Sequence, residues 1–156
     1  MSLSLREVTA NDIDLLYQWA NDTTVRQNAF HTEPIPYNDH RMWFAKNLAD
    51  QDVLMYILSQ KSANGQEKPL GQIRLALEND TALISYSIDT AQRGQGLGTR
   101  MVLMVEEKLR EQRTDITYCL AQVKYSNPAS AKVFEKCGYD AKNLEQYIEF
   151  TKRIRG

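Results

Sequence analysis

A chain of 156 residues has material for one domain built on one core, and residues 1–156 are read as a single domain. With 25% charged and 42% hydrophobic residues and a formal net charge of −1, and with no basic block interleaved with aromatics, the composition argues against nucleic acid as partner. No apolar run approaches the roughly 20 residues that a membrane span needs. The start is not a basic stretch followed by a long apolar core, and Cys119 and Cys137 stand outside any Cys-x-x-Cys pattern. Two reduced thiols, a cytoplasmic location, no membrane partner and no metal are therefore expected.

Taken in order, Ser4 to Val8 reads as a first strand. Thr9 opens a helix as N-cap, with Asp12 completing a variant capping box and Ile13, Leu16 and either Tyr17 or Ala20 on its apolar side; Asn21-Asp22 ends it. A short helix over Thr23 to Ala29 follows, and the two prolines of Phe30 to Tyr37 mark a loop. From Tyr37 to Leu48, Trp43, Phe44 and Leu48 with His40 predict an amphipathic helix. Val53 to Ser59, Leu70 to Leu77 and Thr81 to Ile88 are read as strands of an antiparallel meander. Residues 62–69 make the hairpin connection between the first two of them, and Gly71 is a weak point in the second.

The last of these strands runs into Gln92-Arg93-Gly94-Gln95-Gly96-Leu97-Gly98-Thr99, and a helix with Met101, Val102, Val105 and Leu109 as buried stripe follows to about Gln112. Three glycines in five positions at a strand-to-helix turn let the backbone approach a ligand closely. The helix-start amides and dipole then favour a phosphate or pyrophosphate. Gly98 is followed by Thr99-Arg100 rather than Lys-Ser/Thr, which argues against a P-loop, and the glycine spacing past mid-chain does not fit a dinucleotide fingerprint. Ile116 to Val123 is a further strand, parallel to Thr81 to Ile88 by the crossover rule. Asn127-Pro128 opens another helix that Gly138 stops, and Tyr147 to Ile154 is a final strand.

Arg93-x-x-Gly96-x-Gly98 resembles the acetyl-coenzyme A loop of the GNAT superfamily of N-acetyltransferases. The segment Asn127 to Tyr139, with Asn-x-x-Ser, an apolar-aromatic pair, Glu-Lys, a variable residue, Gly and an aromatic, resembles the second motif of that superfamily. The likeness is strong from Leu70 to Tyr139 and looser before it. It implies an α/β fold of three layers, with a central mixed, mostly antiparallel sheet of about seven strands, one splayed parallel pair, and helices on both faces. It also implies acetyl-coenzyme A as cofactor, held by Ser87, Ile88, Arg93, Gly94, Gln95, Gly96, Leu97, Gly98 and Thr99, with Asn127, Ser130 and Phe134 facing it. Two nearly parallel strands that splay suit an extended pantetheine arm, which can pair with strand edges. Asn127 is equally a plain helix cap. The superfamily often has a Tyr, the proton donor to the leaving thiolate, where this chain has Phe134.

The expected reaction is direct attack of a neutral primary amine on the thioester, with an amide near Ser87 or Ile88 holding the oxyanion. Tyr86, His40 and Glu33 are the candidate bases. Residues 26–44 resemble the branch that acetylates a UDP-linked 4-amino sugar. On that likeness Phe30, Trp43 and Tyr86 supply an apolar floor, and Arg26, Asn28, Arg41 and Arg74 polar contacts. The partner is then a small-molecule amine, a nucleotide-linked amino sugar in the first instance. The alternatives are a protein N-terminal or ribosomal-protein acetyltransferase, and a non-catalytic acyl-coenzyme A sensor. A homodimer is a candidate assembly that the sequence does not decide.

Overall fold

The alternating apolar residues of the meander line up when its strands pair, and in a computed structural model that describes residues 2–156 they do so in a seven-stranded sheet of order β1-β2-β3-β4-β5-β7-β6. The strands are β1 (Ser2–Glu7), β2 (Val53–Lys61), β3 (Glu67–Glu78), β4 (Thr81–Ile88), β5 (Tyr118–Lys124), β6 (Asp140–Asn143) and β7 (Tyr147–Arg153). The helices are α1 (Ile13–Ala20), α2 (Thr23–Asn28), α3 (Tyr37–Ala49), α4 (Leu97–Gln112) and α5 (Pro128–Lys136). All neighbouring strands are antiparallel except β4 and β5.

Period-two alternation divides the sheet into two faces. On one, Leu58, Ile73, Leu75, Ala82 and Ile84 meet the α4 stripe Met101, Val102, Val105 and Leu109 and the α5 residues Ala131 and Phe134. On the other, Val8, Met55 and Ile57 meet Leu16 and Trp19 of α1 and Phe44 of α3. Each of these aliphatic side chains contributes on the order of 2 kcal/mol by leaving water. Helices thus cover both faces, as the three-layer expectation requires.

Several boundaries differ from the sequence reading. Asp12 is at N3 of Thr9 and accepts its amide at 2.8 Å, as a capping box should, but residues 10–12 form a 3-10 turn and the α-helix starts at Ile13. β3 begins at Glu67, because residues 67–69 pair with 59–61 past a bulge at Leu58/Ser59; the connection shrinks to 62–66. β6 was not located from its sequence, since Asp140 to Asn143 is exposed and lacks alternation. Helix α3 buries His40 and Phe44, while Trp43 and Leu48, expected on its apolar side, are each 40% exposed.

The feature that positions the site is the short contact between β4 and β5. Their parallel pairing covers only Thr81↔Tyr118, Ala82↔Cys119 and Leu83↔Leu120. Beyond it, β4 stays on β3 as far as Gly71↔Ile88 and β5 stays on β7 as far as Lys124↔Tyr147, so the two strands part. Gly71, read as a weak point, is what lets β4 run so far. A Cβ there would lie 2.7 Å from the Ser87 carbonyl oxygen. Gly71→Ala is expected to push the Ser87–Ile88 end of β4 outward and lower unfolding stability by about 1–3 kcal/mol, read from a urea titration.

Candidate active site

Asp89 closes β4 and caps a 3-10 turn by accepting the Ala91 amide at 3.1 Å. The chain then reaches α4 through Gly94 (φ 81°) and Gly96 (φ 74°), both in the left-handed region that suits glycine. No atom lies within 4 Å of where a Cβ would be at either. Gly98 does a different job: a Cβ there would be 3.2 Å from Val133 Cγ2 and 3.3 Å from Tyr86 Cε2. Helix geometry leaves the first-turn amides of α4, Leu97 through Thr99, without an intrahelical acceptor, and among the described residues no side chain caps them. The loop therefore combines open space, exposed amides and the positive end of a 16-residue helix.

The helix that flanks the parting strands is α5. Asn127 caps it, its Oδ1 accepting the Ser130 amide at 3.3 Å, so the plain capping role is real. Among the described residues its Nδ2 donates to nothing. The Ser130 hydroxyl and the Tyr86 hydroxyl share a hydrogen bond of 2.9 Å. Phe134 is 2% exposed, with its ring centroid 6.0 Å from that of Tyr86 and 5.6 Å from that of Phe150. Burial pushes the Tyr86 phenol above its ordinary value, partly offset by Ser130. Tyr86 thus stays protonated at neutral pH and is a poor base, against the expectation that it accepts the amine proton.

Arg93 was placed among the cofactor contacts, but its Nη2 pairs with Asp22 at 2.7 Å. Asp22 caps α2 through the Val25 amide at 3.1 Å and also accepts the Thr90 hydroxyl at 2.6 Å. The Thr90 and Arg93 hydrogen bonds hold its carboxyl well down, to about 2. Asp89 Oδ1 accepts the Trp19 indole N–H at 2.8 Å, fastening α1 to the end of β4. At the other end of α2, Lys124 donates to the Gln27 and Ala29 carbonyls, each at 3.0 Å. The ties of Trp19, Asp22, Asp89 and Lys124 across the fold were not read from the sequence, where Asp22 only ended a helix, because these partners are 68 to 97 residues apart and follow no local spacing.

The predicted acceptor residues fall into two groups. His40 is buried, its Nε2 bonded to the Ile13 carbonyl at 2.9 Å and its ring stacked on Trp43 with centroids 5.8 Å apart. That geometry is a packing role. Arg26 donates to the Ala20 carbonyl at 2.7 Å and to His31 at 2.9 Å, which holds the loop after α2 rather than leaving a free cation. Arg41 is exposed and donates to Asn38 at 2.8 Å. Glu33 is exposed on that loop, Asn28 ends α2, and Phe30 meets Tyr147 edge-on with centroids 5.6 Å apart. Arg74 lies across the sheet from Ser85, its guanidinium 5.6 Å from the Trp43 ring centroid. It has no carboxylate partner within ion-pair distance among the described residues, and burial lowers its pKa.

Parted strands with unpaired facing edges, a glycine loop and exposed helix amides define a site for an extended ligand with an anionic end, which fits acetyl-coenzyme A. The model of the acetyltransferase (GNAT) domain family matches residues 2–140. The chain belongs to this family, an acetyl-coenzyme A-dependent group of N-acetyltransferases. No curated protein matches it. Among solved structures, a domain from Methanocaldococcus jannaschii superposes with a TM-score of 0.85 at 20% identity, covering 97% of this chain and 98% of that one. Spermidine N-acetyltransferase from Vibrio cholerae, in complex with CoA and spermine, gives 0.81 at 14%, covering 97% and 95%. AAC(6')-Ib, in complex with ribostamycin and coenzyme A, gives 0.81 at 22%, covering 98% and 94%. At these identities the likeness shows the shared fold.

Charge can be separated from backbone strain at Gly96. Asn and Asp tolerate the left-handed region about equally, so Gly96→Asn should bind coenzyme A within about threefold of wild type by calorimetry. Gly96→Asp should bind it at least about tenfold more weakly, because a carboxylate would face the pyrophosphate.

Proposed function

We propose that this chain acetylates the primary amine of an acceptor that also carries an anionic group, with a UDP-linked 4-amino sugar as the acceptor of first choice. The observation that carries the reading is Arg74, a half-buried guanidinium with no acidic partner among the described residues, laid on Trp43 beside β4. Partial burial of a cation is costly without a counter-charge, and an anionic acceptor supplies one. The two carboxylates at the mouth of the splay, Asp22 and Asp89, are engaged by Arg93, Thr90 and Trp19 and so do not invite a polycation.

The thioester supplies an activated acyl carbon that a neutral amine attacks directly. The amides of Gln95 through Thr99 hold the pyrophosphate, and Ser87 and Ile88 present the unpaired edge of β4 to the pantetheine arm. An amide at that edge receives the developing oxyanion. No cysteine takes part: burial raises Cys119 to about 12 and Cys137 to about 11, and their thiols are closed off. Tyr86, kept protonated by burial and paired with Ser130, serves as proton donor to the leaving thiolate in place of the phenol that Phe134 lacks. Glu33, exposed beside the acceptor wall, takes the ammonium proton directly or through water.

Release of coenzyme A thiol from acetyl-coenzyme A, measured across UDP-4-amino sugars, simple amino sugars, polyamines and N-terminal peptides, tests the reading. Turnover on the UDP-4-amino sugar is expected, and turnover on peptides alone would make the chain a protein acetyltransferase. Cofactor binding without turnover of any amine would favour the sensor. Arg74→Ala should raise KM for the anionic acceptor about tenfold or more, with KM for acetyl-coenzyme A within about twofold. Tyr86→Phe should lower kcat by about 10- to 100-fold with both KM values nearly unchanged.

A further inference from the structure

We propose that α2 is a crossbar between the two parting strands and transmits filling of the cofactor cleft to the acceptor wall. The proposal rests on coenzyme A occupying that cleft. Helix α2 has six residues, none of them fully buried, and Val25 is its one half-buried apolar side chain, so apolar packing contributes little to its placement. It is held by charged tethers at its two ends instead. At its N-terminus Asp22 accepts Thr90 Oγ1 at 2.6 Å and Arg93 Nη2 at 2.7 Å, both from the segment that continues β4. At its C-terminus Lys124, the last residue of β5, donates to the Gln27 and Ala29 carbonyls, both at 3.0 Å. The Asp22 end suits a cap, and the Lys124 end sets a cation on carbonyls that helix geometry leaves without partners.

These tethers join the arms of the splay at its open end, where β4 and β5 no longer pair. A bar about 9 Å long has fixed length, so a change in strand separation must tilt or strain it. Helix α2 also carries the acceptor loop, because Arg26 donates from it to the His31 carbonyl at 2.9 Å and to the Glu33 carbonyl at 3.3 Å. Helix α1 is fastened to the same end of β4 through Trp19 and Asp89, and Arg26 ties α2 to the last residue of α1 through the Ala20 carbonyl at 2.7 Å, so α1 is the pivot about which α2 and its loop would tilt. The ligand that sets the strand separation thereby sets the position of the acceptor wall. Asp22 and Lys124 are positioning residues, touching neither the cofactor nor the amine.

Hydrogen exchange followed by mass spectrometry, with and without coenzyme A as the added probe, tests this without an acceptor. In the wild-type chain coenzyme A should slow exchange over residues 23–29 by about tenfold, in the range of ordinary coupling between sites, as well as protecting the first turn of α4. In Asp22→Asn, which keeps a good N-cap but loses the charge, and in Lys124→Met, which keeps the apolar stem, the effect on 23–29 should fall below about twofold while α4 stays protected. Unchanged exchange in β2 and β3 would show that both variants are folded. A purely structural tie would change exchange in α2 equally with and without the probe and would overturn the proposal. So would wild-type protection of α4 with no change over 23–29, or a full effect surviving in both variants. Failure of coenzyme A to protect α4 in the wild-type chain would instead overturn its placement in the cleft, and the crossbar with it.

Discussion

The site depends on two strands that run side by side for three residue pairs and then separate. Each is held on its outer side for its full length, β4 by β3 and β5 by β7, so neither can follow the other. Backbone donors and acceptors on the facing edges are then left without a strand partner, and an unmet polar backbone group is costly away from water. A ligand whose amides imitate a strand meets that need. The glycine loop lies where β4 ends, so the first turn of α4 offers its free amides at the end of the same opening.

Polar groups far apart in the chain keep this opening in shape. Asp89 and Trp19, Asp22 with Thr90 and Arg93, and Lys124 with the end of α2 tie the early helices to the two arms. Behind the site a second set does the same for the core. Glu106, fully buried on α4, accepts the Tyr139 hydroxyl at 2.8 Å and Lys152 at 2.7 Å. Arg155 closes the other end of α4 by donating to the carbonyls of Leu109, Arg110 and Arg113. Together they hold the helix whose first turn faces the ligand.

Electrostatics divides the site into two halves. The half proposed for the cofactor offers backbone amides and a helix dipole, and Arg93 there is paired with Asp22. On the side expected to take the acceptor, Arg74 is a half-buried cation with no carboxylate partner among the described residues, while of the other two arginines expected there Arg26 is committed to carbonyls and Arg41 is exposed and bonded to Asn38. Tyr86 and Ser130 stand between the halves, one hydroxyl pair beside the ring of Phe134.

Local pattern was enough for much of this chain. Apolar, β-favouring runs placed β2, β3 and β5, alternation placed β4 and β7, the 3.6-residue stripe placed α4, Asn127-Pro128 placed the start of α5, and the two motifs identified the family. These are features that neighbouring residues determine, because helix caps, glycine conformations and face periodicity act within a few positions. The exposed strand β6 lacked such a pattern, and Trp43 turned outward because what α3 packs against is not encoded in α3 alone. The roles of Gly71, Asp22, Arg93, Lys124 and Glu106 were decided only by tertiary structure. A charged side chain in sequence has no assigned partner, and its meaning comes from whichever group folding brings to within about 3 Å of it.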